Sequence, residues 1–155
     1  MANNEIPPVE HLPAEVCWEL LRSSVVGRLA VVIEDHPDIF PLNYVVDGGS
    51  VVFRTAAGTK MAGALANTPV ALEVDGYDVA SEQAWSVVLR GRAEHILQPR
   101  GLAAASSLPL FPWQQGPKEH FVRIHLINMT GRRFTVAKPD IWTAPVTDKR
   151  RESFE

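Results

Sequence analysis

Arg54, Thr55, Thr59 and Lys60 bring two cations and two hydroxyls into seven consecutive positions, between an apolar run (Val51-Val52-Phe53) and a small-residue stretch (Met61-Ala62-Gly63-Ala64-Leu65). This reads as a strand, a loop and a helix start. Such a place suits a phosphate, because the first turn of a helix has unpaired N–H donors and a positive dipole end. An arginine grips phosphate oxygens in bidentate fashion, and a lysine adds a compact point charge. The Gly-rich run ending in Gly-Lys-Ser/Thr that defines a Walker loop is absent. The same four residues also suit a solvated strand-to-helix turn, so the segment by itself leaves both readings open.

Other chemistries find less support. His120 and His125 are five apart, which places them on opposite faces of a strand, and no shared metal is expected. Neither Cys-x-x-Cys nor His-Glu-x-x-His occurs, and there is no Gly-x-Ser-x-Gly elbow. His11, His36 and His95 read as surface or loop residues. No acid–base pair stands out. Cys17 falls within a helical apolar pattern and reads as a buried structural thiol.

The elements that must position the phosphate-type residues are short and mostly extended. A helix is expected near residues 13–23, with Val16, Cys17, Leu20 and Leu21 on one face. After Gly27 the apolar period becomes two, and Leu29, Val31 and Ile33 share a side. His36-Pro37-Asp38 reads as punctuation before a strand from Ile39 to Val46. Asp47-Gly48-Gly49 then turns that strand into another, from Ser50 to Arg54, as a hairpin. Further strands are expected at Val70–Asp75, Ala84–Ile96 and His120–Met129, the last continued or bent by Gly131-Arg132-Arg133-Phe134. A short helix is expected at Gly101–Ser107, followed by an apolar loop that carries Trp113. About six strands with short connections imply a mainly β chain, closed or partly closed as an antiparallel barrel.

Composition bounds the partners. The 155 residues suit one domain, and the net charge of −3 gives no basic stripe for nucleic acid. No run approaches the roughly 20 apolar residues needed to span a bilayer. The first eight residues show no signal-peptide pattern, and the single cysteine fits a reducing compartment, so a cytoplasmic protein is expected.

The ordered segments Cys-Trp-Glu-Leu-Leu, Gly-Arg-Leu-Ala-Val, Pro-Leu-Asn-Tyr-Val-Val-Asp, Val-Val-Phe-Arg-Thr-x-x-Gly-Thr-Lys, Val-Ala-Leu-Glu-Val-Asp and Trp-Ser-Val-Val-Leu-Arg-Gly carry a family resemblance. The chain resembles the pyridoxamine 5'-phosphate oxidase-like, FMN-binding split-barrel proteins, in particular a branch common in actinobacteria and related to nitroimidazole-resistance proteins. The resemblance implies a six-stranded antiparallel split β-barrel with a few short helices over residues 10–137, an N-terminal arm (1–9) and a tail (138–155). It also implies a homodimer with FMN at the subunit interface, a dimer to which Trp18, Trp85 and Trp113 would lend aromatic surface.

Carried over by position, Arg54, Thr55, Thr59 and Lys60 would hold the FMN phosphate. Pro41, Asn43 and Tyr44 would lie under or beside the isoalloxazine ring, and Trp85 and Ser86 would approach it from the sheet. Asn43 alternatively belongs to an ordinary hairpin strand, and Trp85 to the core or the dimer interface. Arg132, Arg133 and Trp113 are left without assigned roles, and no catalytic residue is named. The segment with which true oxidases grip the substrate phosphate is replaced by Gly-Arg-Arg-Phe and Ile141-Trp142, so the substrate stays open. Three functions follow: an FMN-dependent oxidoreductase acting on a small molecule, aromatic ones included; a deazaflavin- or haem-binding protein on the same barrel; or a non-catalytic flavin-sequestering protein.

Overall fold

The computed structural model describes residues 8–56, 58, 64–65, 68–110 and 120–136. A two-residue strand, β1 (Glu10–His11), leads into α1 (Ala14–Ser23). Pro13 precedes α1 in an extended conformation, where its missing N–H costs nothing. Glu15 in the first turn and Arg22 in the last both complement the helix dipole. The face that α1 buries is the one its period predicts, with Cys17 and Leu21 fully inside. Burial also pushes the Cys17 thiol pKa up, as for a structural cysteine.

The sheet follows as β2 (Val26–Ile33), β3 (His36–Asn43), β4 (Val45–Asp47), β5 (Ser50–Thr55), β6 (Val70–Asp78), β7 (Gln83–His95) and, after α2 (Pro99–Ser106), β8 (His120–Thr135). All pairings are antiparallel. Their order is β3-β2-β6-β7-β8-β5-β4, with β1 added beside the far end of β8. Only Tyr44 separates β3 from β4 in the chain. The segment from His36 to Asp47 thus pairs with β2 through its first part and with β5 through its second. It joins the two ends of the sheet, which gives the expected split barrel. Eight strands among the described residues replace the expected six because this segment is broken at Tyr44 and because β1 was not anticipated.

The barrel is filled by the inward rows, among them Leu29, Val51, Phe53, Leu72, Val74, Val87, Leu89, Val122 and Ile124. A second cluster, Val52, Ile96, Ala105, Leu110 and Phe121, lies where α2 covers the opposite face of β5 and β8. A bulge shifts the β7–β8 register at Arg90/Gly91, where a side chain at Gly91 would run into the His125 carbonyl.

One expected boundary is corrected. The turn between β2 and β3 is Glu34-Asp35, with φ of 48° and 66°, and His36-Pro37-Asp38 lies inside β3. Two successive positive φ angles match the right-handed twist of a two-residue hairpin. Pro37 is tolerated because β3 has only β2 alongside it there, and an edge strand accepts proline. Of the helix expected after Lys60, only Ala64 and Leu65 are among the described residues, and Ala64 is buried.

Candidate functional site

Arg54 stands next to the end of β5, opposite Phe121 on β8, and its guanidinium carbon lies 4.9 Å from the centre of that ring. The stacking holds a long cationic side chain against an apolar platform. Thr55, on the opposite face, is only 4% exposed and donates its hydroxyl to the Ala56 carbonyl at 3.0 Å. Its cross-strand neighbour is His120, whose Nδ1 lies 3.2 Å from Nε2 of His95. This histidine pair is a feature the sequence reading missed: β7 and β8 must be in register before residues 25 apart in the chain can meet. Thr59 and Lys60 lie outside the described residues, as does Trp113.

Pro41 and Asn43 alternate with the buried Leu42 and so sit on the outer side of β3. The Asn43 amide nitrogen donates to the Val25 carbonyl at 3.4 Å, which orients the amide. β3 also lies against β5. Extending the β4–β5 register by two residues sets Asn43 across from Arg54. Tyr44 differs from this pair, because its side chain turns into the interior. Its hydroxyl donates to the Leu21 carbonyl at 2.6 Å, tying α1 to the break between β3 and β4. Burial pushes the phenol pKa up to about 12, against a smaller opposing effect of the Ser24 hydroxyl. The Tyr44 ring is therefore core, and only its backbone is placed to meet a ligand.

Trp85 and Ser86 lie elsewhere. Trp85 packs on the barrel core and folds over Gly76, where any Cβ would come within 2.5 Å of the indole. Ser86 is on the outer face and accepts from Arg132 Nε at 3.4 Å. Arg133, on the other side of β8, reaches Glu10 at 3.9 Å. Beside Ser86 the outer surface of β6, β7 and β8 is hollowed into a depression of about 510 Å³. A second, of about 340 Å³, adjoins it and shares Ser86, Val88 and Arg132. On the β6 side, Arg28 bridges Glu73 at 3.1 Å and Asp75 at 3.2 Å.

The described ones among the expected cofactor residues thus fall into two separate places within one chain. Arg54 pairs with Phe121, whereas Ser86 pairs with Arg132, eleven residues further along β8. At about 3.3 Å per residue that is about 35 Å of strand. Among the described residues, no group of three or more His, Cys, Asp and Glu side chains could hold a metal ion, and no helix is long and apolar enough to cross a membrane.

Comparison with known proteins bears on what such a barrel holds. A family model described as pyridoxamine 5'-phosphate oxidase matches residues 13–133. The chain is 41% identical to the FAD binding protein from Mycobacterium smegmatis, whose structure aligns with a TM-score of 0.70 over 81% of this chain and 98% of that one. An FAD-binding protein from Mesorhizobium loti is 26% identical, with a TM-score of 0.69 over 84% of this chain and 99% of its own. An uncharacterized protein from Mycobacterium tuberculosis is 32% identical over 130 residues, 81% of this chain and 85% of that protein.

Proposed function

The chain belongs to the pyridoxamine 5'-phosphate oxidase family, and we propose that it is a flavin-binding oxidoreductase whose site is assembled from two copies of the chain. The separation along β8 carries this reading. A flavin phosphate at Arg54, with its ring beside Pro41 and Asn43, lies too far from Trp85 and Ser86 of the same chain for one cofactor to touch both. A two-fold pair of barrels brings the Ser86 end of one protomer to the Arg54 end of the other, and each protomer then supplies half of each site.

The donors present fit such a group. Arg54 stacks on Phe121 and carries the guanidinium that would grip a phosphate, and Thr59 and Lys60 follow it in the chain. The Asn43 amide, whose nitrogen donates to the Val25 carbonyl, stands on the same outer face beside the ring position. When bound, a flavin supplies hydride or single-electron transfer; the chain's own residues bind it, orient it and exclude water. Similarity to two FAD-binding proteins supports a flavin over deazaflavin or haem.

The test begins with the purified protein's absorbance spectrum, the mass of the released cofactor and the sedimentation mass. A flavin on a dimer that turns over with reduced nicotinamide nucleotide is expected. A flavin-loaded dimer without turnover would instead favour the sequestering role. A monomer that binds flavin tightly would sink the two-chain site, and a haem or deazaflavin mass would sink the flavin.

A further inference from the structure

The paired depressions on the outer face of β6, β7 and β8 have an order that flavin phosphate and ring contacts leave unexplained. Cross-strand register stacks the residues in rows. Tyr77, Ala84 and Phe134 form the first, Asp75, Ser86 and Arg132 the second, and Val88 and Thr130 stand in the third. Tyr77 is 50% exposed and Phe134 half-buried, so the first row offers aromatic surface to solvent. Trp85 borders it, seated by the missing side chain of Gly76.

Chemistry changes along the groove. Next to the aromatic row stands the Asp75 carboxylate, held by Arg28, with acceptor capacity for further donors. Across the same row as Asp75 stand Ser86, Arg132 and His11, and further along the groove come Thr130 and then Arg90. Arg90 is braced on Asn128 and Thr130, each at 3.3 Å, and Arg132 on Ser86. A guanidinium has five donors, so each has donors beyond those bonds. Arg28 offsets the two carboxylates that would otherwise repel an anion. From Phe134 to Thr130 the groove spans about 13 Å at about 3.3 Å per residue.

We propose that this groove binds an adenosine 5'-phosphate moiety: the purine on Tyr77 and Phe134, the ribose hydroxyls on Asp75, and the phosphate on Arg132, Arg90 and His11. With the base on the aromatic row, the next row sets Asp75 on one side for the sugar and Arg132 on the other for the phosphate, and Arg90 stands further along. The moiety has two sources, the adenylate half of FAD or the adenosine half of a nicotinamide dinucleotide donor. The proposal rests on the flavin reading for its role, but the groove can be tested without it.

Calorimetric titration of the cofactor-free protein with FMN, FAD and 5'-AMP, repeated in Arg132→Gln and Tyr77→Ala, decides the matter. FAD should bind at least tenfold more tightly than FMN, and each variant should erase most of that advantage while changing FMN affinity less than twofold. Equal affinity for the two flavins, with NADPH binding to the FMN-loaded protein weakened tenfold in both variants, would assign the groove to the electron donor. Binding of 5'-AMP that needs Arg132, in a protein that binds neither flavin, would keep the groove and overturn the flavin reading. An FAD advantage untouched by both variants would overturn the groove, as would the absence of any AMP, NADPH or FAD-specific binding.

Discussion

The two ends of β8 use the same residue types under opposite rules. At the His120 end, Arg54 lies on Phe121, Thr55 is buried, and α2 covers the neighbouring face with a second apolar cluster. At the Arg132 end, arginines stand over an open groove and are braced by long side-chain hydrogen bonds of 3.3 to 3.4 Å. A cation stacked on a nearly buried ring is tied to the packing beneath it. One held by exposed polar contacts contributes little to stability and can adapt to a ligand. The first end thus suits a permanent anchor, and the second a contact whose loss leaves the fold intact.

Phe121→Ala should break the comparison hardest. Removing a nearly buried aromatic from the second cluster is expected to cost about 3–5 kcal/mol of stability, measured by denaturant unfolding, and to weaken flavin binding because Arg54 loses its platform. A loss below about 1 kcal/mol, within the range of ordinary surface substitutions, would mean that this end is no more rigid than the other.

Arg54→Ala sharpens the same contrast. Flavin phosphate binding should weaken by about 1.5–3 kcal/mol, the range for hydrogen bonds to charged groups, while the cation–π contact costs about 1 kcal/mol or less of stability. Fluorescence titration with FMN and with riboflavin separates these contributions, since riboflavin lacks the phosphate and should bind parent and variant alike. An equal loss for both ligands would move the phosphate away from Arg54.

Tyr44→Phe tests the joint between α1 and the broken strand. Loss of the bond to the Leu21 carbonyl should cost about 0.5–1.5 kcal/mol. The phenol pKa is raised by burial from 10.0 to about 12, so the unfolded chain ionises first as pH rises. The stability this group contributes is complete below pH 10 and is lost between there and about pH 12. The parent should lose stability across that window, and Tyr44→Phe should lose less. Identical alkaline profiles would place the ionisation elsewhere.

The smallest effect belongs to the β6–β7 loop, at the groove's open end. Asp78 accepts from the backbone of Ala80 at 2.9 Å and of Ser81 at 3.4 Å, and its carboxyl pKa is lowered by bonding to the Ser81 side chain, then by those backbone donors. A depressed carboxylate supports the fold above its unfolded pKa and ceases to do so as pH falls through its folded value. Asp78→Asn should therefore flatten the acid limb of stability slightly and leave neutral-pH flavin binding unchanged. A large change in flavin affinity would make this loop part of the site.

Much of this architecture was written in local pattern. Alternation at Leu29, Val31 and Ile33, and at Val70, Leu72 and Val74, marks which side of a strand is apolar, because successive side chains point to opposite faces. Asp47-Gly48-Gly49 marks a hairpin because its backbone can adopt the turn, and α1 is legible from its apolar period. The outer positions of Pro41, Asn43, Arg54 and Ser86 follow from the same arithmetic.

Pattern says which face a residue takes and nothing about which strand lies beside it. The Glu34-Asp35 turn went unread because Glu34 has no preference for positive φ and no glycine marks the pair; the twist of the closed hairpin imposes it. The inward turn of Tyr44 depends on the Leu21 carbonyl waiting at the end of α1. The meeting of His95 with His120, the 35 Å of β8 between Arg54 and Ser86, and the rows that join Asp75 to Arg132 all depend on register across a sheet closed by the segment from His36 to Asp47. Register is set by bulges, close backbone approaches and barrel closure acting together. Those are contacts between residues far apart in the chain, so only the tertiary structure could decide them.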